Sequence, residues 1–301
     1  MLAGPISRAA VCLGLLAPLS CVWLGGCGSI TTGEPKCEAT AEFQREVPAE
    51  GVISLEASTS RGKITVTGYD GENIQVTGRV TARGYSQDTA QQLAEKVSLS
   101  VDRSGGLLKT SPSLPPLPHR ATIGVSLTIL VPWHAAREET VEAETSGGRP
   151  RSLHLVTEYG NIRISDVSAD LKAISSYGNV DASRINGPVR LETKYGNVTV
   201  REISGNTQVD TKYGNVEAAS IDGYVTIETK YGKIELELAT GDVSARTKYG
   251  RASVRSVSRH TEVSSQYGRV NVSVDAKQWD GALVSGSSQY GKVKVAIGAD
   301  N

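Results

Sequence analysis

Phenylalanine and methionine each occur once in this chain of 301 residues and tryptophan three times, although 39% of the residues are hydrophobic. The apolar material is therefore mostly Val, Ile, Leu and Ala, which suits short stacked strands. Net charge is missing too: 32 Lys and Arg balance 32 Asp and Glu. No global field draws such a chain to nucleic acid, which is excluded as a partner. The four histidines, His119, His134, His154 and His260, share no metal-ligand spacing, so neither a zinc site nor a Cys–His nucleophile is indicated. There is no Gly-x-Ser-x-Gly and no phosphate loop. The expectation is a protein that is not an enzyme, with no catalytic residue, no cofactor and no metal.

The one long apolar run, Ala9 to Leu24, is broken by Gly14, Pro18 and Ser20 and preceded by Arg8. This is the pattern of a signal peptide over residues 1–26, too short and too interrupted for a membrane span. It ends in Leu24-Gly25-Gly26-Cys27, which resembles the bacterial lipobox. The resemblance implies a lipid on Cys27, with the membrane as first partner, and leaves Cys37 as the one unmodified thiol of the mature chain. An ordinary secretory signal is the alternative, with Cys27 and Cys37 pairing in an oxidising envelope. Gly28 stands where an Asp would direct inner-membrane retention, so the lipobox resemblance implies the outer membrane of the bacterial cell envelope. Residues 27–50, rich in Ser, Thr, Gly, Pro and Glu, read as a flexible tether.

Repetition then fixes the architecture. Tyr-Gly occurs at Tyr159, Tyr177, Tyr195, Tyr213, Tyr231, Tyr249 and Tyr267, always 18 residues apart, and again at Tyr290 after 23. Such a register predicts an all-β parallel β-solenoid (β-helix) with 18-residue rungs about 4.8 Å apart. By parity, the positions six and four before each Tyr, such as Val189 and Leu191, face inward. So do those three and five after, such as Val198 and Val200. A further column eight after Tyr, Val167 to Val257, plugs a corner. The regular solenoid spans 146–301. Residues 51–145 read as less regular N-terminal rungs, including Val52–Leu55, Ile64–Val66 and Ile74–Val76, with a short helix near 88–96 and a strand over Val125–Val131.

The segment Gly62-Lys63-Ile64-Thr65-Val66-Thr67-Gly68-Tyr69-Asp70-Gly71, the later Leu127-Thr128-Ile129-Leu130-Val131-Pro132, and the Thr-x-Tyr-Gly-Asn-Val repeats resemble the bacterial "putative adhesin" domain family over roughly residues 50–297. The resemblance implies a cell-envelope β-solenoid, adhesin-like or a scaffold, and supplies no catalytic residues.

Two columns could carry binding. A Tyr stripe with Ser or Thr two positions earlier could offer ring faces to sugars; as plain structure it is a strand-end ladder whose hydroxyls satisfy one another. Lys194, Lys212, Lys230 and Lys248 precede their tyrosines, beside Glu192, Asp210 and Glu228, so most of their charge reads as a neutralised lattice. That balance fails from Thr229 onward, where 11 basic residues face 7 acidic ones. The candidate ligand surface is therefore Tyr249, Tyr267 and Tyr290 with Lys248, Arg251, Arg269 and Lys292, suited to an anionic polysaccharide or a protein partner through stacking, cation–π contact and ion pairing. Self-association is also open. The enzymatic alternative, a polysaccharide lyase or hydrolase on a β-helix, rests on Asp210 with Glu192 and Glu228. Irregular inward steps speak against hexapeptide acyltransferases, and Tyr177-Gly178-Asn179-Val180-Asp181 lacks the glycines of calcium-binding rolls.

Overall fold

The computed structural model describes residues 37–132, 150–256, 260–274 and 283–298. The signal peptide, Cys27, His134, the 145/146 boundary and Val257 lie outside the described residues.

The first part of the chain runs β1 (Cys37–Pro48), β2 (Ser54–Arg61), β3 (Ile64–Tyr69), β4 (Asn73–Gly84), α1 (Gln87–Glu95), β5 (Ser98–Ser104), β6 (Leu107–Ser113) and β7 (Thr122–Pro132). The repeats follow as β8 (Ser152–Tyr159), β9 (Ile162–Val167), β10 (Asp170–Ser175), β11 (Val180–Asn186), β12 (Val189–Thr193), β13 (Val198–Ser204), β14 (Thr207–Thr211) and β15 (Val216–Asp222). They continue as β16 (Val225–Thr229), β17 (Ile234–Ala239), β18 (Val243–Thr247), β19 (Ala252–Ser256), β20 (Thr261–Ser265), β21 (Val270–Val274), β22 (Val284–Ser288) and β23 (Val293–Ile297).

Each 18-residue coil gives one strand to each of two facing sheets, and successive coils pair in parallel: Leu191 lies beside Val209, and Val198 beside Val216. The predicted inward columns are the core. Leu155, Leu191, Ile162, Val198 and Val216 have no exposed surface, and Val167, Ile185 and Ile203 fill the corner as expected. Parity shifts before that corner because one residue per coil, Asp166, Arg184, Glu202, Ser220 or Leu238, adopts φ between 52° and 60°. Arg184 is skipped in the ladder between Ser183 and Ile185, as in a bulge, which turns the next side chain inward.

The N-terminal region is only partly built of rungs. β2 and β3 form a coil in register with the repeats, Leu55 beside Leu153 and Ile64 beside Ile162, with Arg61-Gly62 in the place of Tyr-Gly. β6 and β7 add a strand below it in each sheet, parallel to β2 and β3, although they come later in the chain. The Ile74–Val76 segment, expected as a rung, belongs to β4, which pairs antiparallel with both β7 and β1. Half of the expected tether is likewise strand: residues 37–48 are β1. Their composition is polar, but Cys37, Ala39 and Ala41 alternate inward and are buried. Helix α1 begins at an N-cap where the Ser86 hydroxyl accepts from the Thr89 amide at 3.1 Å. It buries Ala90, Leu93 and Ala94 against β1 and β4.

Candidate binding edge

The Tyr-Gly pairs lie at the edge where each coil crosses from one sheet to the other. The buried Ser or Thr two residues before Tyr locks neighbouring coils together. Thr193 Oγ1 donates to Gly178 O at 3.1 Å, Thr229 to Gly214 O at 3.2 Å and Ser265 to Gly250 O at 3.0 Å. The hydroxyls therefore pair with backbone one coil back, not with one another. Gly is needed here for close approach: a Cβ at Gly232 would stand 1.7 Å from Gly214 O.

With the backbone drawn so close, the eight tyrosines stack at centroid separations of 4.8–5.0 Å and interplanar angles of 1–8°. Parallel displaced rings of this kind attract. Stacking also uses up the ring faces from Tyr177 to Tyr267, which corrects the expectation that they would receive sugars: between the ends the stripe presents edges and hydroxyls. Its N-terminal face is covered by the Arg61 guanidinium, 5.4 Å from the Tyr159 centroid.

Each lysine before a tyrosine lies over that tyrosine. Nζ is 5.6 Å from the ring centroid at Lys194, 5.4 Å at Lys212, 5.2 Å at Lys230 and 5.3 Å at Lys248. Among the described residues no ion pair joins these lysines to Glu192, Asp210 or Glu228. Glu192 accepts instead from Arg190 Nε at 2.7 Å, and Asp210 lies 4.0 Å from the same guanidinium. Lysines one coil apart repel by about 1 kcal/mol in water, and an exposed cation–π contact returns about 0.5–1 kcal/mol. The rings, more than the acids, make the lysine column tolerable. The acidic and lysine columns flank a shallow trough of about 1040 Å³ that follows the solenoid axis.

On the other side of the stripe, two residues after Tyr, the column changes character along the rod. Asn161, Asn179, Asn197 and Asn215 form a ladder in which each Oδ1 accepts the backbone amide of the next coil at 2.9–3.0 Å. Lys233, Arg251, Arg269 and Lys292 then take over the same position. Lys233 is ion-paired to Glu235. The sequence-derived residues Tyr249, Tyr267, Tyr290, Lys248, Arg251, Arg269 and Lys292 thus share one edge. Among the described residues the expected contacts of Arg251 with Tyr249 and of Arg269 with Tyr267 are not formed; at Tyr249 the preceding Lys248 lies over the ring instead, and Tyr267 is preceded by Gln266. Lys230, from the lysine column, and Lys233 join the cluster; the change from Asn to cation two residues after Tyr was the signal for Lys233. Among the described residues no group of His, Cys, Asp and Glu could hold a metal ion, and no helix is long and apolar enough to cross a membrane.

Elsewhere some charges pair across neighbouring coils. The Arg184 guanidinium forms two hydrogen bonds to Asp166, at 2.5 and 2.9 Å, and holds the Asp166 carboxyl below its ordinary range.

Comparison with known proteins places these features. No curated protein matches the chain. Among solved structures it is similar to a "putative adhesin" of Bacteroides fragilis (12% identity, covering 86% of this chain and 97% of that one, TM-score 0.39). It is also similar to a "putative adhesin" of Parabacteroides merdae (12%, 85% and 95%, TM-score 0.31) and a "putative lipid binding protein" of Parabacteroides distasonis (13%, 86% and 95%, TM-score 0.29). Superposition this loose carries nothing about ligands. Family membership rests on sequence: residues 46–299 match the Toastrack DUF4097 family, and the chain belongs to it.

Proposed function

We propose that this protein is a non-enzymatic, adhesin-like binding module of the bacterial envelope, anchored through a lipid on Cys27, whose C-terminal Tyr edge engages linear anionic polysaccharide. One observation carries the reading. From Tyr231 onward every ring of the Tyr stripe is followed by a cation, Lys233, Arg251, Arg269 and Lys292, and at Tyr231 and Tyr249 Lys230 and Lys248 add a second cation on the other side. These cations recur once per coil, at the 4.8–5.0 Å period of the rings. That period is close to the length of one sugar residue in an extended chain, so a polyanion lying along the axis could meet one cation per residue. Tyr hydroxyls supply donors to its ring oxygens, and guanidinium forks favour its carboxylates or sulfates.

The test is retention of the protein on an immobilised polyuronate over a salt series. Arg251→Glu combined with Arg269→Glu should abolish retention and its salt dependence while leaving the melting temperature nearly unchanged. Equal retention of the double variant would end the proposal, as would release of unsaturated sugar products by the unaltered chain. The anchor is checked separately by labelled fatty-acid uptake, which Cys27→Ser should eliminate; undiminished labelling would refute it.

A further inference from the structure

The last coil of the solenoid is exposed where all earlier ones are covered. β22 and β23 are the outermost strands of their sheets, and among the described residues no strand pairs with their outer edges. Val293, Val295 and Ile297 continue columns whose members one coil back, Val270, Val272 and Val274, are at most 2% exposed, yet they are 42–45% exposed. Tyr290 is the most exposed ring of the ladder, stacked on one face only. Hydrogen bonding shows which backbone groups are spare. The Val270 amide donates to Lys292 O and the Gly298 amide to Val274 O. Parallel alternation between these points turns the N–H and C=O of Val293, Val295 and Ile297 away from β21.

We infer that this end binds a second copy of the chain, end to end about a two-fold axis, with β22 of each copy paired antiparallel to β23 of the other. An unguarded edge invites pairing with another strand. The opposite end of the rod is guarded: its outermost strands, β1 and β5, carry Glu38, Glu42, Glu46, Asp102 and Arg103. By contrast β22 has no charge and β23 only Lys294. Solenoid geometry selects the axis. Each coil climbs one strand spacing, so β23 stands half a spacing beyond β22. Pairing like with like would leave one gap a full spacing wider than the other, whereas pairing β22 with β23 makes the two gaps equal.

That axis keeps the Tyr edges on one side, bringing the two Tyr290 rings together and extending the stack across the junction. It also sets Lys294 against the uncharged Ser and Gly of β22. Lys292 then approaches position 289, where the lysine of earlier coils is replaced by glutamine. Gln266 Nε2 already donates to Gln289 Oε1 at 3.2 Å, a ladder that tolerates a neighbouring cation where lysine would repel it. The interface is one coil across and belongs to the small, transient class. The junction shares Tyr290 and Lys292 with the Tyr edge, but it is carried by the strands β22 and β23 at the end of the rod, so Val295→Pro tests it apart from polysaccharide binding.

Sedimentation velocity of the full chain over a concentration series should show a reversible monomer–dimer equilibrium. Val295→Pro removes an outward N–H without touching the bonds to β21, and should eliminate the dimer with little change in melting temperature. Under oxidation, Tyr290→Cys should yield a disulfide-linked dimer and Tyr159→Cys, at the other end of the ladder, should not. A chain monomeric at every concentration overturns the proposal. So does a dimer indifferent to Val295→Pro or linked equally through Tyr159→Cys. A monomer whose Val295 amide resists hydrogen exchange would mean that another segment of the same chain covers this end, which also overturns it.

Discussion

The two ends of this rod obey the same packing rule and finish it differently. At the N-terminal end, Ile64 lies in the same inward column as Val216 and is equally buried, because β7 lies beside β3 and antiparallel strands close the stack beyond it. At the C-terminal end, Val293 occupies that column too and is 42% exposed. A solenoid repeat cannot bury its own apolar face; the neighbour does it. The N-terminal region gives up repetition to stop the stack, whereas the repeats keep their parallel register to the last described strand, even across the 23-residue step between Tyr267 and Tyr290.

The comparison breaks most directly in the shared column. Val216→Asp puts an unpaired carboxylate between two neighbouring coils and should cost about 4 kcal/mol or more, whereas Val293→Asp, with water on one side, should change the denaturation midpoint little. Equal losses would show that the last coil is covered in solution. A smaller contrast lies in the glycine ladder. Gly232→Ala must push coils apart on both sides and should destabilise by about 1–3 kcal/mol. The same change at Gly291, whose added Cβ would stand 1.9 Å from Gly268 O, should cost less because the last coil is free to lift. Urea titration of both variants decides it; a reversed order would remove close approach as the reason for Gly.

The smallest effect concerns the exposed Arg184–Asp166 pair. Because the Asp166 carboxyl titrates below its ordinary 3.8, its contribution to stability is complete above that value and disappears as pH falls through the lower folded-state value. Asp166→Asn should therefore lower the melting temperature slightly at neutral pH, where the ion pair is fully formed, and flatten the acid-side loss, the two proteins converging at low pH. An undiminished acid slope would assign that loss to other carboxylates.

Much of the repeat region was legible because period and parity are local: an 18-residue spacing with alternating Val, Ile and Leu leaves one way to stack. The Cys37–Pro48 strand was not, since a polar composition resembles a tether unless a partner buries its small residues, and that partner, β4, lies tens of residues on. In the binding edge, the residues could be named from their columns but their contacts could not. Lys248 and Arg251 are equally basic in sequence, and only the direction in which the chain leaves the Tyr-Gly turn puts the lysine over the ring.

By itself, then, the sequence determined the period, the inward columns, the Tyr stripe and the C-terminal surplus of cations, all of them set by residue type at fixed spacing. Tertiary structure alone decided that the ring faces are spent on one another, that the hydroxyls bind glycine carbonyls one coil back, and that one end is guarded and the other open. Each of these depends on which backbone lies alongside, and in a stack that neighbour is 15 or more residues away in sequence and one strand spacing away in space.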